Sequence, residues 1–273
     1  MATISDRSSR LMRLRRALAP RARGLGAALS AAFMPALCVH CRRDRWRGTP
    51  LCLGCLRKAA PLRAPVCGFC GLPACAQAHG VQGETDSPFA SMRFLFRMGP
   101  PLSALIHGFK YRRMVRHIRF LCAYLRYRPD LREWARGFDA LVPVPIHASR
   151  KRERGYNQAQ KIAGEASAYL GLPVEAGWLE RVRATGSQTK LDRGQRQRNL
   201  ERAFACPAPE SVKGKRILIV DDVFTTGATV GRCAELLRAA GALEVGVLAL
   251  ARVETVEDAD DFSLELEAAA SFA

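Results

Sequence analysis

The apolar residues of this chain fall into a few stretches whose patterning fixes their secondary structure. Ile217 to Val220 is a compact aliphatic run with no polar alternation, as expected of a central parallel strand covered on both faces. Val245 to Ala251 reads the same way, and Asp139 to Ile146 is a further buried strand closed by its prolines. Phe89 to Met98 instead alternates apolar and polar positions, as a half-buried strand does, and Pro100 and Pro101 stop it. From Leu102 to Leu125 apolar residues recur at helical spacing. Val230 to Ala240 carries a second amphipathic pattern, which Gly241 ends. Strands alternating with helices predict an α/β fold with a parallel sheet flanked by helices.

The chemistry concentrates at Arg216 to Val230, RILIVDDVFTTGATV. The buried strand runs into two adjacent carboxylates, Asp221 and Asp222. Thr225, Thr226, Gly227, Ala228 and Thr229 follow, and then the helix. A strand, a small-residue loop and a helix N-terminus make an anion site, because backbone N–H groups and the helix dipole point at the same place. Neither GxxxxGK[ST] nor GxGxxG is present. Paired acids before a phosphate loop suit a diol beside a phosphate, as in a ribose 5-phosphate.

The formal charge of the 273 residues is +18 and the hydrophobic fraction is 48%. Such charge favours a polyanionic partner or substrate, although an arginine-rich composition throughout would give the same figure. No apolar run approaches the roughly 20 residues that span a bilayer. A basic arm, residues 1–36, precedes the first cysteine. It reads as a frayed, partly helical and partly disordered segment rather than a secretory signal.

Ten cysteines raise the question of disulfides. Their pairing as Cys38-Val-His-Cys41 and Cys52-Leu-Gly-Cys55 points instead to a closed structural zinc site in a reducing, cytoplasmic setting. Cys67 and Cys70 form a third pair. With Cys75 and His79 they would make a second site; the alternative is a set of reduced, packed thiols. The polar stretch from Gln77 to Ser87 ends this module.

Two more segments are strongly basic. His147 to Gly155, HASRKRERG, reads as a loop after the second strand. Its Arg152 and Arg154 suit a pyrophosphate through their planar, bidentate forks. The helix from Leu102 carries Lys110, Arg112, Arg113, Arg116 and Arg119 on one face, which is either solvated or borders an anion. Between the strands lies Arg181 to Phe204, polar and long for an α/β connection, hence a candidate lid.

The Asp-Asp-x-x-Thr-Thr-Gly-Ala-Thr stretch resembles the phosphoribosyl-pyrophosphate (PRPP) motif of the type I phosphoribosyltransferases. In order along the chain, the CxxC pairs, IHGFKYRR, VPVPIHASRKRERGYNQA, RVRATGSQTKLDRGQRQRNLERAF and ILIVDDVFTTGAT resemble the ComF family, including its ComFC-like and GntX-type members. The resemblance implies a zinc-finger module joined to a type I phosphoribosyltransferase-like sheet. It implies that Asp221 and Asp222 meet the ribose hydroxyls, that residues 225–229 hold the 5-phosphate, and that Arg152 and Arg154 meet the pyrophosphate. Arg183, Thr185, Gln188, Arg196 and Asn199 match the family's lid. Mg²⁺ would arrive on PRPP oxygens and water.

The implied partners are PRPP or a nucleotide, and single-stranded DNA with the competence machinery. No catalytic residue is assigned. GntX-type members carry a further cysteine pair near Cys75, which is absent here. The division expected is an arm at 1–36, a zinc module at 37–80, a phosphoribosyltransferase-like domain at 88–252 and an acidic tail at 253–273. Three function classes stay open: a DNA-linked accessory protein, an active transferase, and a PRPP-sensing regulator.

Overall fold

The computed structural model of the protein describes residues 37–46, 48–59, 61–73, 87–183 and 202–253. The chain divides into two compact units, one reaching Leu53 and the other beginning at Gly54.

The first unit is a turn-rich knuckle. The Cys38 N–H donates to the Arg43 carbonyl at 2.7 Å, the Arg42 N–H donates to the Cys38 carbonyl at 3.1 Å, and Leu37 bridges Asp44. Arg42 takes the left-handed conformation (φ 62°) that this tight reversal needs. Helix α1, Leu53–Lys58, follows.

The second unit holds a four-stranded sheet. Strand β1, Ser91–Arg97, leads to helices α2, Leu102–Tyr111, and α3, Arg116–Cys122. A 3₁₀ turn at Ala123–Tyr127 and helix α4, Pro129–Ala135, come before strand β2, Ala140–Pro143. Helices α5, Ala148–Arg154, and α6, Gln158–Leu170, follow. A small antiparallel pair, β3 (Glu180–Arg181) and β4 (Phe204–Ala205), stands apart from the main sheet. The chain then runs through helix α7, Pro209–Val212, strand β5, Arg216–Phe224, helix α8, Ala228–Ala239, and strand β6, Glu244–Arg252.

The sheet order is β1-β6-β5-β2, and each of its pairings is parallel. Strand β5 is therefore central, and Ile217 to Val220 are fully buried as the unalternating run requires. Val230, Cys233, Ala234 and Leu237 of α8 cluster with Val142, Ile217, Ile219 and Val247 on one face. Helix α6 packs on β2 and β5 with Ile162, Ala163 and Ala166 buried outside that cluster, so it covers the other face. The helices after β2 and β5 thus leave on opposite faces. That opens a crevice at the carboxyl ends of these two strands, where ligands bind in open parallel sheets. No helix of the described residues is long and apolar enough to cross a membrane.

Four local expectations change. The helical pattern from Leu102 to Leu125 breaks at 112–115, where Arg113 turns left-handed (φ 53°) and the Gly108 carbonyl accepts the Arg112 and Met114 N–H groups. This is a C-terminal cap that apolar spacing does not reveal. HASRKRERG is largely helix α5, capped by His147 and ended at Gly155 (φ 83°). It buries no residue, so no apolar period announced it. The central strand does not end at Val220 but continues through both acids to Phe224. Helix α8 begins two residues earlier than its apolar pattern.

Candidate functional site

The site is built where β5 and β2 end. Alternate side chains of a strand point to opposite faces, and the surroundings of Asp221 and Asp222 divide accordingly. Asp222 is 4% exposed and faces α2, with Lys110 Nζ 3.1 Å from its Oδ2. That oxygen is withdrawn from solvent, so the ion pair offsets the cost of burying its charge. Asp221 is half-buried, and its Oδ1 accepts the Asp222 N–H at 2.8 Å. Burial, then the Asp222 charge, push its carboxyl up to about 7, against the Asp222 N–H, Lys110 and Arg181. Arg181, whose guanidinium stacks 5.1 Å over Phe204, opens the segment expected to be a lid.

Beyond the acids the chain turns at Thr225, Thr226 and Gly227 into α8. Both threonines are exposed, and Thr226 Oγ1 accepts the Ala228 N–H at 3.4 Å. Gly227 sits at φ 76°, and a Cβ there would lie 2.6 Å from the Phe224 ring, itself packed on Phe94 at 5.4 Å. Alanine at Gly227 must adopt a left-handed backbone and displace a core ring. Urea unfolding of Gly227→Ala should show a loss of about 2 kcal/mol. A loss below about 0.5 kcal/mol would mean that the turn is not held this way.

Arg152 and Arg154 lie on α5, beyond the end of β2. Arg152 is exposed, whereas Arg154 stacks 5.4 Å over the Tyr111 ring, which also stacks on the His107 imidazole at 4.9 Å. The Tyr156 hydroxyl donates to the Phe109 carbonyl, and Arg113 Nη2 donates to the Glu153 carbonyl at 3.0 Å. Burial pushes the Tyr156 phenol above its ordinary value, with Arg154 opposing and Asp222 adding. The IHGFKYRR turn is therefore tied to the basic helix and, through Lys110, to Asp222. The sequence offered Lys110 as one cation on a helix face, but its burial is tertiary and left no local signal. Arg181 and Tyr156 were missed as site neighbours for the same reason.

Arg183, expected in the lid, is exposed. Thr185, Gln188, Arg196 and Asn199 lie outside the described residues.

The Sγ atoms of Cys38, Cys41, Cys52 and Cys55 all lie within 4.8 Å of one another, with Cys41 and Cys52 3.5 Å apart. Four sulfurs at this spacing can hold a tetrahedral metal ion such as zinc. Burial would raise the Cys38 thiol, but the backbone N–H groups of Cys41, Cys52 and His40 outweigh it and bring it down to about 6. A thiolate is the form that binds metal.

The third pair repeats the first knuckle bond for bond. The Gly71 N–H donates to the Cys67 carbonyl at 3.1 Å, the Cys67 N–H donates to the Leu72 carbonyl at 2.9 Å, and Gly71 is left-handed (φ 69°). Gly71 is also required sterically, since a Cβ would lie 2.2 Å from the Met92 carbonyl oxygen of β1. Cys75 and His79 lie outside the described residues.

The sheet and its acid-and-threonine turn are those of a phosphoribosyltransferase-like protein, and the family model described as phosphoribosyl transferase domain matches residues 143–265. The chain belongs to the ComF family. It is 33% identical over 222 residues to competence protein F of Haemophilus influenzae, covering 79% of this chain and 96% of that one. It is 33% identical over 231 residues to DNA utilization protein YhgH of Salmonella typhimurium, covering 80% and 98%. A purine phosphoribosyltransferase from Pyrococcus horikoshii is 20% identical, with 51% and 78% of the chains covered and a TM-score of 0.31.

Proposed function

We propose that the protein binds PRPP or a nucleoside 5-phosphate at the ends of β5 and β2, and serves as an accessory in taking up or processing single-stranded DNA. The observation that carries the ligand reading is the pair of adjacent carboxylates at the end of the central strand, with Asp221 only half-buried and the exposed Thr225 and Thr226 directly after it. Ribose hydroxyls are donors that such a pair can accept. In this reading the turn at 225–229 and the α8 N-terminus take the 5-phosphate, and Arg152 and Arg154 take the pyrophosphate or its equivalent. Arg183, Gln188 and Arg196 close over the ligand. Mg²⁺ is carried by ligand oxygens and water rather than by Asp222, whose Oδ2 already faces an ammonium group at 3.1 Å.

The cysteine cluster holds structural zinc, and the Cys67–Cys70 knuckle holds half of a second site, with Cys75 and His79 as the remaining ligands. Reduced thiolates of this kind suit the cytoplasm. The expected division into arm, zinc module, ligand domain and acidic tail belongs to the same reading. The DNA-linked role is supported by the names of the similar proteins and by the charge of +18.

An active transferase is the second reading, favoured by the family-model match. It would displace pyrophosphate from C1 of PRPP with a base nitrogen, by positioning and electrostatics. A PRPP sensor without turnover is the third.

One paired experiment separates them. Single-stranded DNA is titrated at two salt concentrations beside a pyrophosphate-release assay with PRPP and a panel of bases. The accessory role predicts DNA affinity falling with salt at a log–log slope of about −0.7 per phosphate contacted. It also predicts no base-dependent turnover. Charge reversal at Arg43 and Arg45 should flatten that slope and leave PRPP affinity unchanged. Absent or salt-insensitive DNA binding with base-dependent turnover would replace the accessory role by the transferase.

A further inference from the structure

The ligand site leaves one charged group without a part to play. Lys110 stands in the last turn of α2, and it and Asp222 are 12% and 6% exposed at the side chain. A lysine so withdrawn from water is rare unless it is paired. Its Nζ forms an ion pair with Asp222 Oδ2 at 3.1 Å.

The turn that carries it is fastened independently of the acids. The Tyr156 hydroxyl holds the Phe109 carbonyl, Arg113 holds the Glu153 carbonyl, and Tyr111 is clasped between His107 and Arg154. The ammonium group cannot leave Asp222 by backbone movement without unmaking these contacts.

We propose that Lys110 is a positioning residue of the site: a fixed internal cation that pins Asp222 and offsets the repulsion between the two adjacent carboxylates, so that the pair meets the ligand's hydroxyls more readily ionised. This rests on the reading of the acid pair as the ribose site.

Among the described residues, the other charged or titratable groups facing the pair are Arg181 from β3, Cys233 from α8, and Tyr156 from the α5–α6 corner. Burial pushes the Cys233 thiol far up, so it stays neutral. Lys110 is the cation at ion-pair distance among the described residues. Without it, two adjacent carboxylates withdrawn from water keep their mutual repulsion and lose its closest counterweight, so they share a proton over a wider pH range.

Lys110→Met keeps a straight apolar stem and removes the charge; Lys110→Gln replaces it where Met does not fold. Carbon-detected NMR titration of the ligand-free protein should show the pair's apparent midpoint raised by about one unit or more. Lys110→Arg should leave it near wild type. With PRPP as probe, Lys110→Met should bind about tenfold more weakly at pH 7 and recover as pH rises, one unit of midpoint corresponding to about that factor. In an Asp222→Asn background the same substitution should add no further loss.

A folded, charge-removed variant whose midpoint matches wild type would overturn the proposal. So would equal loss on the Asp222→Asn background, the outcome for a lysine that merely supports the fold. The titration needs no ligand, so failure of the wild type to bind PRPP would sink the ribose reading and leave the Lys110 test standing.

Discussion

Cys52→Ser should release the metal ion and unfold the first unit while the parallel sheet remains. Among its described residues that unit buries little apart from Cys38, Leu51 and Cys52, with Pro50 beside them. A core of that size does not hold a fold, and modules below about 40 residues ordinarily need a metal or cross-link. Structural zinc contributes about 10–16 kcal/mol in small finger peptides, more than any apolar contact here can replace. Elemental analysis should find at least one zinc per wild-type chain and one fewer in the variant. Amide exchange should speed up at Cys38, Arg42 and Trp46, whose N–H groups are bonded within the knuckle, and stay slow in β5 and β6. A metal-free wild type with those amides protected would show that the sulfurs pack without an ion.

The second large effect is expected from Asp221→Asn combined with Asp222→Asn. Hydrogen bonds to charged acceptors are each worth about 1.5–3 kcal/mol. Asparagine accepts more weakly, so PRPP affinity should fall by about a hundredfold or more. The strand should survive, because the amides are nearly isosteric with the acids.

Asp221→Asn alone carries a signed prediction about stability. Its folded-state carboxyl is raised to about 7 from 3.8 by burial first and Asp222 second. The associated stability is present in full below pH 3.8 and is lost as pH rises through about 7. Above that pH the ligand-free wild type carries a penalty that Asn removes. Asp221→Asn should therefore melt higher than wild type at pH 8 while binding PRPP more weakly. A lower melting temperature with unchanged affinity would make Asp221 a structural residue. Ligand hydroxyls favour the ionised acid, so wild-type affinity should also decline as pH falls below about 7.

The strands were legible because Ile217 to Val220, Val245 to Ala251 and Ala140 to Val142 carry unbroken apolar runs that the sheet buries on both faces. The acid-and-threonine turn was legible for the same reason, since it follows the most buried of these strands. What escaped the sequence depends on tertiary contact. Nothing local to Lys110 tells that its helix will stop at Tyr111 and bring it within 3.1 Å of Asp222. Helix α5 has no apolar face to read, being fastened by Arg154, Tyr156 and the Glu153 carbonyl rather than by burial. The Cys67 knuckle was visible as spacing, but its likeness to the Cys38 knuckle lies in two backbone hydrogen bonds and a left-handed residue.

The most direct measurement is calorimetric titration of the full chain with PRPP and Mg²⁺ at pH 7.5, with ribose 5-phosphate and pyrophosphate as separate competitors. Saturable binding is expected. Ribose 5-phosphate should compete at the Asp221–Thr229 half of the site and pyrophosphate at the Arg152–Arg154 half, each more weakly than PRPP itself. Absence of heat and of competition from both halves, in a protein whose sheet amides are protected, would contradict the assignment of this crevice to a phosphoribosyl ligand.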